Sequence, residues 1–284
     1  MATRTGHIAR RITARVPGRQ AARSTPVRFL GRVGFLARGL LYIVIGWISL
    51  EIAFGKTSQQ ADRSGAVQAL GRTAGGEIAL WILGIGLFGM AVWRLSEAVF
   101  GPPIREKDKR KAVWTRLSCL AKAVVYVVLG YGVLQYAVGA GSPPSSDQES
   151  VDFTATLMRH PGGRAAVIAI GLVLIGSGFY LAYQALRARF RKDLLLSQMG
   201  RRTTWIVDWL GRIGGTVRGV VFITAGVFLI VAAAEAKPGE AKGLDSSLRA
   251  LTETPLGPWL LALVALGLII FGLFSCCETR WRRV

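Results

Sequence analysis

Arg32-Val-Gly-Phe-Leu-Ala-Arg38-Gly-Leu-Leu-Tyr42-Ile-Val-Ile-Gly46 is a basic approach to an apolar helix, and the chain writes it three times. Arg116-x5-Lys122-x3-Tyr126-x3-Gly130 and Arg212-x5-Arg218-x3-Phe222-x3-Gly226 repeat the spacing, at offsets of 84 (116 − 32) and 180 (212 − 32). A second pattern follows each copy. Gly76-Glu77…Leu80-Trp81…Trp93-Arg94-Leu95-Ser96-Glu97 recurs as Gly163…Gln184 and as Gly257-Pro258-Trp259…Glu278, offset by 87 (163 − 76) and 181 (257 − 76). Self-similarity at a fixed period predicts one supersecondary unit used three times. The unit here is a two-helix hairpin.

The helices are long and apolar. Runs at about 36–54, 78–100, 117–138, 165–186, 217–234 and 256–277 approach or exceed the roughly 20 residues that cross a bilayer. Hydrophobic residues make up 51% of the 284 and mean hydropathy is +0.41, which excludes an ordinary soluble domain. The net charge of +20 would raise nucleic acid as a partner in a soluble chain. Its distribution gives a simpler reason. Nine Arg and no acid lie in 1–38, while 100–116 holds six basic and two acidic residues and 187–212 seven and two. The alternating segments 55–77, 139–164 and 235–255 hold only eight basic residues together. The positive-inside rule then puts both termini in the cytoplasm and the three hairpin turns outside.

The predicted fold is an all-α membrane protein of six transmembrane helices in three tandem hairpins, at 29–101, 114–187 and 208–280. A short outer amphipathic helix is expected in each, around Val67 and Leu70, Phe153 and Leu157, and Leu244, Leu248 and Leu251. Their N-cap candidates are Asp62 or Ser64, Ser150 or Asp152, and Asp245. Residues 1–28 read as a disordered basic cytoplasmic tail lying on anionic headgroups. An Arg-rich, acid-free transit peptide fits the same composition. Trp93, Trp114, Trp205, Trp209 and Trp281 read as a belt at the cytoplasmic level, with Trp81 and Trp259 at the outer one. Repeats of one orientation are expected to surround a threefold axis along the membrane normal, which an open row of hairpins would contradict.

The Arg-x5-Arg-Gly-x2-Tyr-x3-Gly pattern, with the later Gly-x-Trp-Leu-Leu…Glu half, resembles the bacterial DUF1206 domain over roughly residues 29–280. That is a membrane domain of unknown function, usually in three tandem copies and common in actinobacteria. The middle copy departs most, with Lys122 for the second Arg, Ala123 for the Gly and Gln184 for the Glu. The resemblance implies a bacterial inner (plasma) membrane protein and brings no activity with it.

Candidate chemistry sits at the repeated positions Arg32, Arg38, Tyr42, Glu97, Arg116, Lys122, Tyr126, Gln184, Arg212, Arg218, Phe222 and Glu278. Within an antiparallel hairpin, Arg38 would face Glu97 and Arg218 would face Glu278, either as latches or as a gate. Lys122 would face only Gln184, which leaves it open to an external anion. Glu51, isolated near the outer end of its helix, suits either a proton or ion site or a contact with outer headgroups, and the headgroups are favoured. Gly84-x-Gly86-x2-Gly89 matches the dinucleotide-binding pattern without its strand, so it reads as helix packing, as does Gly211-x3-Gly215-x3-Gly219.

Cys119, Cys276 and Cys277 lie at cytoplasmic helix ends, where no disulfide framework is expected. With only His7 and His160, no P-loop and no paired carboxylates in the spans, an enzyme, a metal site and a cofactor are not expected. Two function classes remain. One is a non-catalytic scaffold whose basic face binds anionic lipid, a partner membrane protein or a second copy of the chain. The other is a small transporter or channel along the repeat axis. Scattered pore candidates (Glu51, Gln135, Ser177, Gln184, Thr224) favour the first.

Overall fold

The structure is a computed structural model that describes residues 25–57, 59–101, 109–141, 144–235 and 257–282, with side chains from residue 29 and, after the first linker, from residue 112. The first repeat contains α1 (Thr25–Ala53), α2 (Arg63–Gly71) and α3 (Gly76–Phe100), and the second α4 (Lys109–Ala137), α5 (Ser146–Met158) and α6 (Gly163–Leu186). The third contains α7 (Arg201–Ala234) and α8 (Gly257–Trp281). The six longest of these helices are long and apolar enough to cross a membrane, and the protein is a multi-pass membrane protein. The outer helix expected at Leu244–Leu251 and the tail up to residue 24 lie outside the described residues. α1 begins at Thr25, inside the segment read as tail, and α7 begins a full two turns before residue 208.

Two short helices occupy the hairpin turns. Asp62 caps α2 by accepting from the Gly65 N–H at 3.0 Å. α5 starts a turn earlier than its sequence candidates, because Ser145 is the cap, accepting from the Gln148 N–H at 3.1 Å. Asp147 and Glu149 then complement the positive end of the α5 dipole. Gly75 and Gly162, 87 positions apart, have φ of 78° and 79° and turn the chain into α3 and α6. A β-carbon would strain both turns.

Side by side, the spans run α4, α3, α1, α8, α7, α6. That is the cyclic order of a ring, with α8 of the last repeat closed onto α1 of the first. The three joints between repeats are equivalent. A Cβ on Gly39 would lie 2.8 Å from the Gly272 carbonyl oxygen, and one on Gly219 2.6 Å from the Gly178 carbonyl oxygen. Those two joints are α1–α8 and α7–α6, and the same registers in α4 and α3 hold Ala123 and Ala91. Two turns further, Gly46 meets Ala265, Gly130 meets Gly84 and Gly226 meets Gly171. Small residues let the backbones touch, and close packing of this kind holds helices together in lipid. Leu41, Ile45, Ile48, Leu83, Leu87, Leu261 and Leu268 fill the core of α1, α3 and α8, with Val133 of α4 and Val221 of α7 joining it.

Candidate functional site

The repeats turn outward at one end of the ring, and the chain crosses between repeats at the other, the basic end. Here each repeat delivers a cation from its first helix. Arg38 and Lys122 lie 15 residues, and Arg218 16 residues, before the last residue of α1, α4 and α7. At 1.5 Å per residue, all three sit about 22–24 Å from the turn end, at one level.

Arg38 is fully served. Its Nη2 donates to Glu278 Oε2, and its Nε donates to Ser275 Oγ at 2.8 Å, which itself donates to the Phe35 carbonyl at 3.0 Å. Arg282 donates to the other Glu278 oxygen and lies 3.4 Å from Asp193. Glu278 is therefore clamped between two guanidinium groups and almost wholly buried. The linker after α6 is drawn in, with the Leu195 N–H donating to the Trp281 carbonyl at 2.8 Å. The hairpin latches expected from sequence are not formed. Glu278 pairs across repeats with Arg38, not with Arg218. Glu97 takes Arg94 of its own helix at 2.7 Å, not Arg38, and accepts from the Cys119 Sγ at 3.7 Å.

Of the three equivalent cations, Arg218 and Lys122 pair with no carboxylate among the described residues. Arg218 rests on three rings, with its guanidinium carbon 5.0 Å from the centre of Phe271, 5.5 Å from Phe222 and 5.8 Å from Tyr42. Its Nε is buried without a hydrogen-bond partner. The acid that Glu278 supplies to Arg38 has Gln184 in its place in the repeat that precedes Arg218. Lys122 loses Glu97 to Arg94, a residue that has Leu181 and Ser275 at its equivalent positions. Lys122 is exposed. Tyr126, one turn further along the same face of α4, packs beside Phe35, Met90 and Trp93.

Beside Arg218 opens a cavity of about 360 Å³. Its walls are apolar and come from α1, α6, α7 and α8, with Ile170, Leu174, Phe222 and Leu229 among them, and α5 closes it at the turn end. No residue of α4 lines it. α4 and α6, the two spans of the second hairpin, share no packed interface, whereas α1–α3 and α7–α8 do. The registers explain the difference. In the first hairpin a Cβ on Gly34 would lie 2.7 Å from Met90 Cβ, and in the third one on Gly214 would lie 2.5 Å from Phe271 Cα. The second has Ser118 and Ser177 in these two positions. Gly86 on Ala37 and Gly267 on Val217 become Val173 opposite Ala121, and Val173 is 67% exposed. Gly89 packs on Leu30, while its counterpart Gly176 has no atom within 4 Å of a Cβ position. The result is a seam open to lipid; at the turn end α5 is tied to α2 of the first repeat, by Arg63–Glu149 at 2.6 Å and by the Ser146 N–H on Asp62 at 2.6 Å.

The remaining sequence candidates lie elsewhere. Glu51 accepts from Trp47 Nε1 at 3.2 Å at the turn end of α1. Arg32 is half-buried, and Arg116 and Arg212 are exposed at the basic end. Gly86 and Gly89 face α1, Gly84 faces Leu134 of α4, Gly211 faces Phe190, and Gly215 and Gly219 face α6. Trp93 is not in a surface belt; it is buried with its ring centre 5.1 Å from that of Phe35. Among the described residues no His, Cys, Asp or Glu cluster could hold a metal. Sequence reading missed Arg94, Ser275 and Arg282, although Arg94–Glu97 and Glu278–Arg282 stand at the helix spacings that signal a pair.

These features define a class, the multi-pass helical membrane proteins built from one hairpin used three times. The chain belongs to the family described as Domain of Unknown Function (DUF1206), whose model matches residues 33–101, 117–188 and 213–282. It is similar to the Uncharacterized protein YxxB of Bacillus subtilis (strain 168), 29% identical over 249 residues that cover 88% of this chain and 89% of that one. No solved structure matches.

Proposed function

We propose that the protein is a non-catalytic interaction protein of a bacterial inner (plasma) membrane that binds anionic lipid of the cytoplasmic leaflet through its basic end. The observation that carries this reading is the charge at that end. Arg38, Arg94, Lys122, Arg218 and Arg282 gather around the carboxylates of Glu97 and Glu278, with Asp193 beside Arg282, so cations outnumber their acids among the described residues. Intramembrane charge of one sign needs a counter-charge, and anionic headgroups are the nearest. Exposed Arg187, Arg189, Arg191, Lys192, Arg201 and Arg202 extend the same surface. The positive-inside rule faces that surface, with both termini, toward the cytoplasm.

The test is native mass spectrometry of the purified protein in mixed micelles of phosphatidylglycerol and phosphatidylcholine with matched chains. Retention of phosphatidylglycerol in clear excess is expected. Equal retention of the two would overturn the reading. Solute flux through reconstituted liposomes that Glu51→Gln or Lys122→Ala abolishes would replace it with a transporter.

A further inference from the structure

We infer that the seam between α4 and α6 is a site for one anionic lipid, with its headgroup on Lys122 and Arg218 and one acyl chain in the cavity beneath α5. The inference rests on the lipid reading above and gives it a place. Three independent observations converge on this spot. The seam is the one joint of the ring where packing is withheld, through Ser118, Ser177 and the uncovered Gly176. Lys122 and Arg218, the two of the three equivalent cations that pair with no carboxylate among the described residues, lie on α4, which forms one side of the seam, and on α7, which packs against α6 on its other side. The cavity beside Arg218 has apolar walls, as an acyl chain requires, and its volume falls within the roughly 300–1,000 Å³ of small-molecule sites.

The arrangement also fixes the ligand's orientation. The cations lie about 22–24 Å from the turn end, close to the far boundary of a roughly 30 Å hydrocarbon core. A lipid of the leaflet at the basic end would therefore set its headgroup at their level and its chain along Ile170 and Leu174. Because the seam opens sideways, such a lipid reaches the site from the bilayer without crossing water. A soluble anion would satisfy the charge and leave the apolar cavity empty, so the lipid is the better match.

The same mass spectrometry, run on variants, separates this inference from the broader reading. Arg218→Gln and Lys122→Gln each remove a cation, and Gln184→Glu places an acid where Glu278 and Glu97 stand in the other repeats. Each is expected to lower phosphatidylglycerol retention on the order of tenfold, the worth of one charge-assisted contact. Arg72→Gln, which removes an exposed cation at the turn end, away from the basic surface, is expected to bind as the wild type does. If the wild type prefers phosphatidylglycerol and all three seam variants keep that preference, the lipid reading stands and the seam site is overturned. Displacement of the lipid by free glycerol phosphate would also overturn it, as would a dimer held through the seam. Lys122 is exposed and Gln184→Glu removes no cation, so neither variant depends on a fold that tolerates loss of Arg218.

Discussion

Glu278 is the residue on which the basic end turns. Two guanidinium groups and almost complete burial leave its carboxylate no alternative partner, and its loss would strand Arg38 and Arg282. Removing one member of a buried pair typically costs about 3–5 kcal/mol, because the remaining charge stays desolvated. Glu278→Gln is therefore expected to lower the thermal unfolding midpoint in detergent well below that of Gln184→Ala, read by helix circular dichroism. Equal midpoints would show that the pair carries no net stability. The spacing of the repeats made these residues legible as a set, and Lys122 stood out without an acid. What the spacing could not show was the partner. A helix at the hairpin's other strand and a helix of the neighbouring repeat are both antiparallel to α1, with the same ends together. Arg38 can thus meet Glu97 or Glu278 with no change in the local pattern, and Ser275 decides for the second by holding the Arg38 Nε.

At the scale of the helices, small residues decide which faces touch. Gly84-x-Gly86-x2-Gly89 was legible as a packing surface but not as two surfaces. Residues two apart on a helix point about 200° apart, so Gly84 packs on α4 while Gly86 packs on α1. Gly219 and Gly176 make a sharper contrast. A Cβ on Gly219 would lie 2.6 Å from the Gly178 carbonyl, and one on Gly176 would meet nothing. Gly219→Val is expected to destabilise by about 1–3 kcal/mol or more through overpacking, and Gly176→Val to stay within about 0.5 kcal/mol of the wild type. Unfolding in detergent compares them directly, and equal costs would mean that α6 is covered on both faces. The seam itself was written in the sequence as Ser118 and Ser177. It becomes readable only once Gly34–Met90 and Gly214–Phe271 identify the contact that those two serines replace.

The whole molecule is a ring of three hairpins with three equal joints between repeats and one joint left open within a repeat. Six spans and threefold repetition followed from hydropathy and period. Closure of α8 onto α1 did not, because no sequence offset distinguishes the last neighbour in a ring from the end of a row. The open seam is the central claim, and spin labels at equivalent positions test it most directly. Leu36 with Ile85, Leu120 with Leu172, and Thr216 with Leu266 occupy the same registers in the three hairpins. Pulsed electron–electron distances in nanodiscs are expected to agree for the first and third pairs and to be longer for the second. One common distance for all three would close the seam and contradict the account.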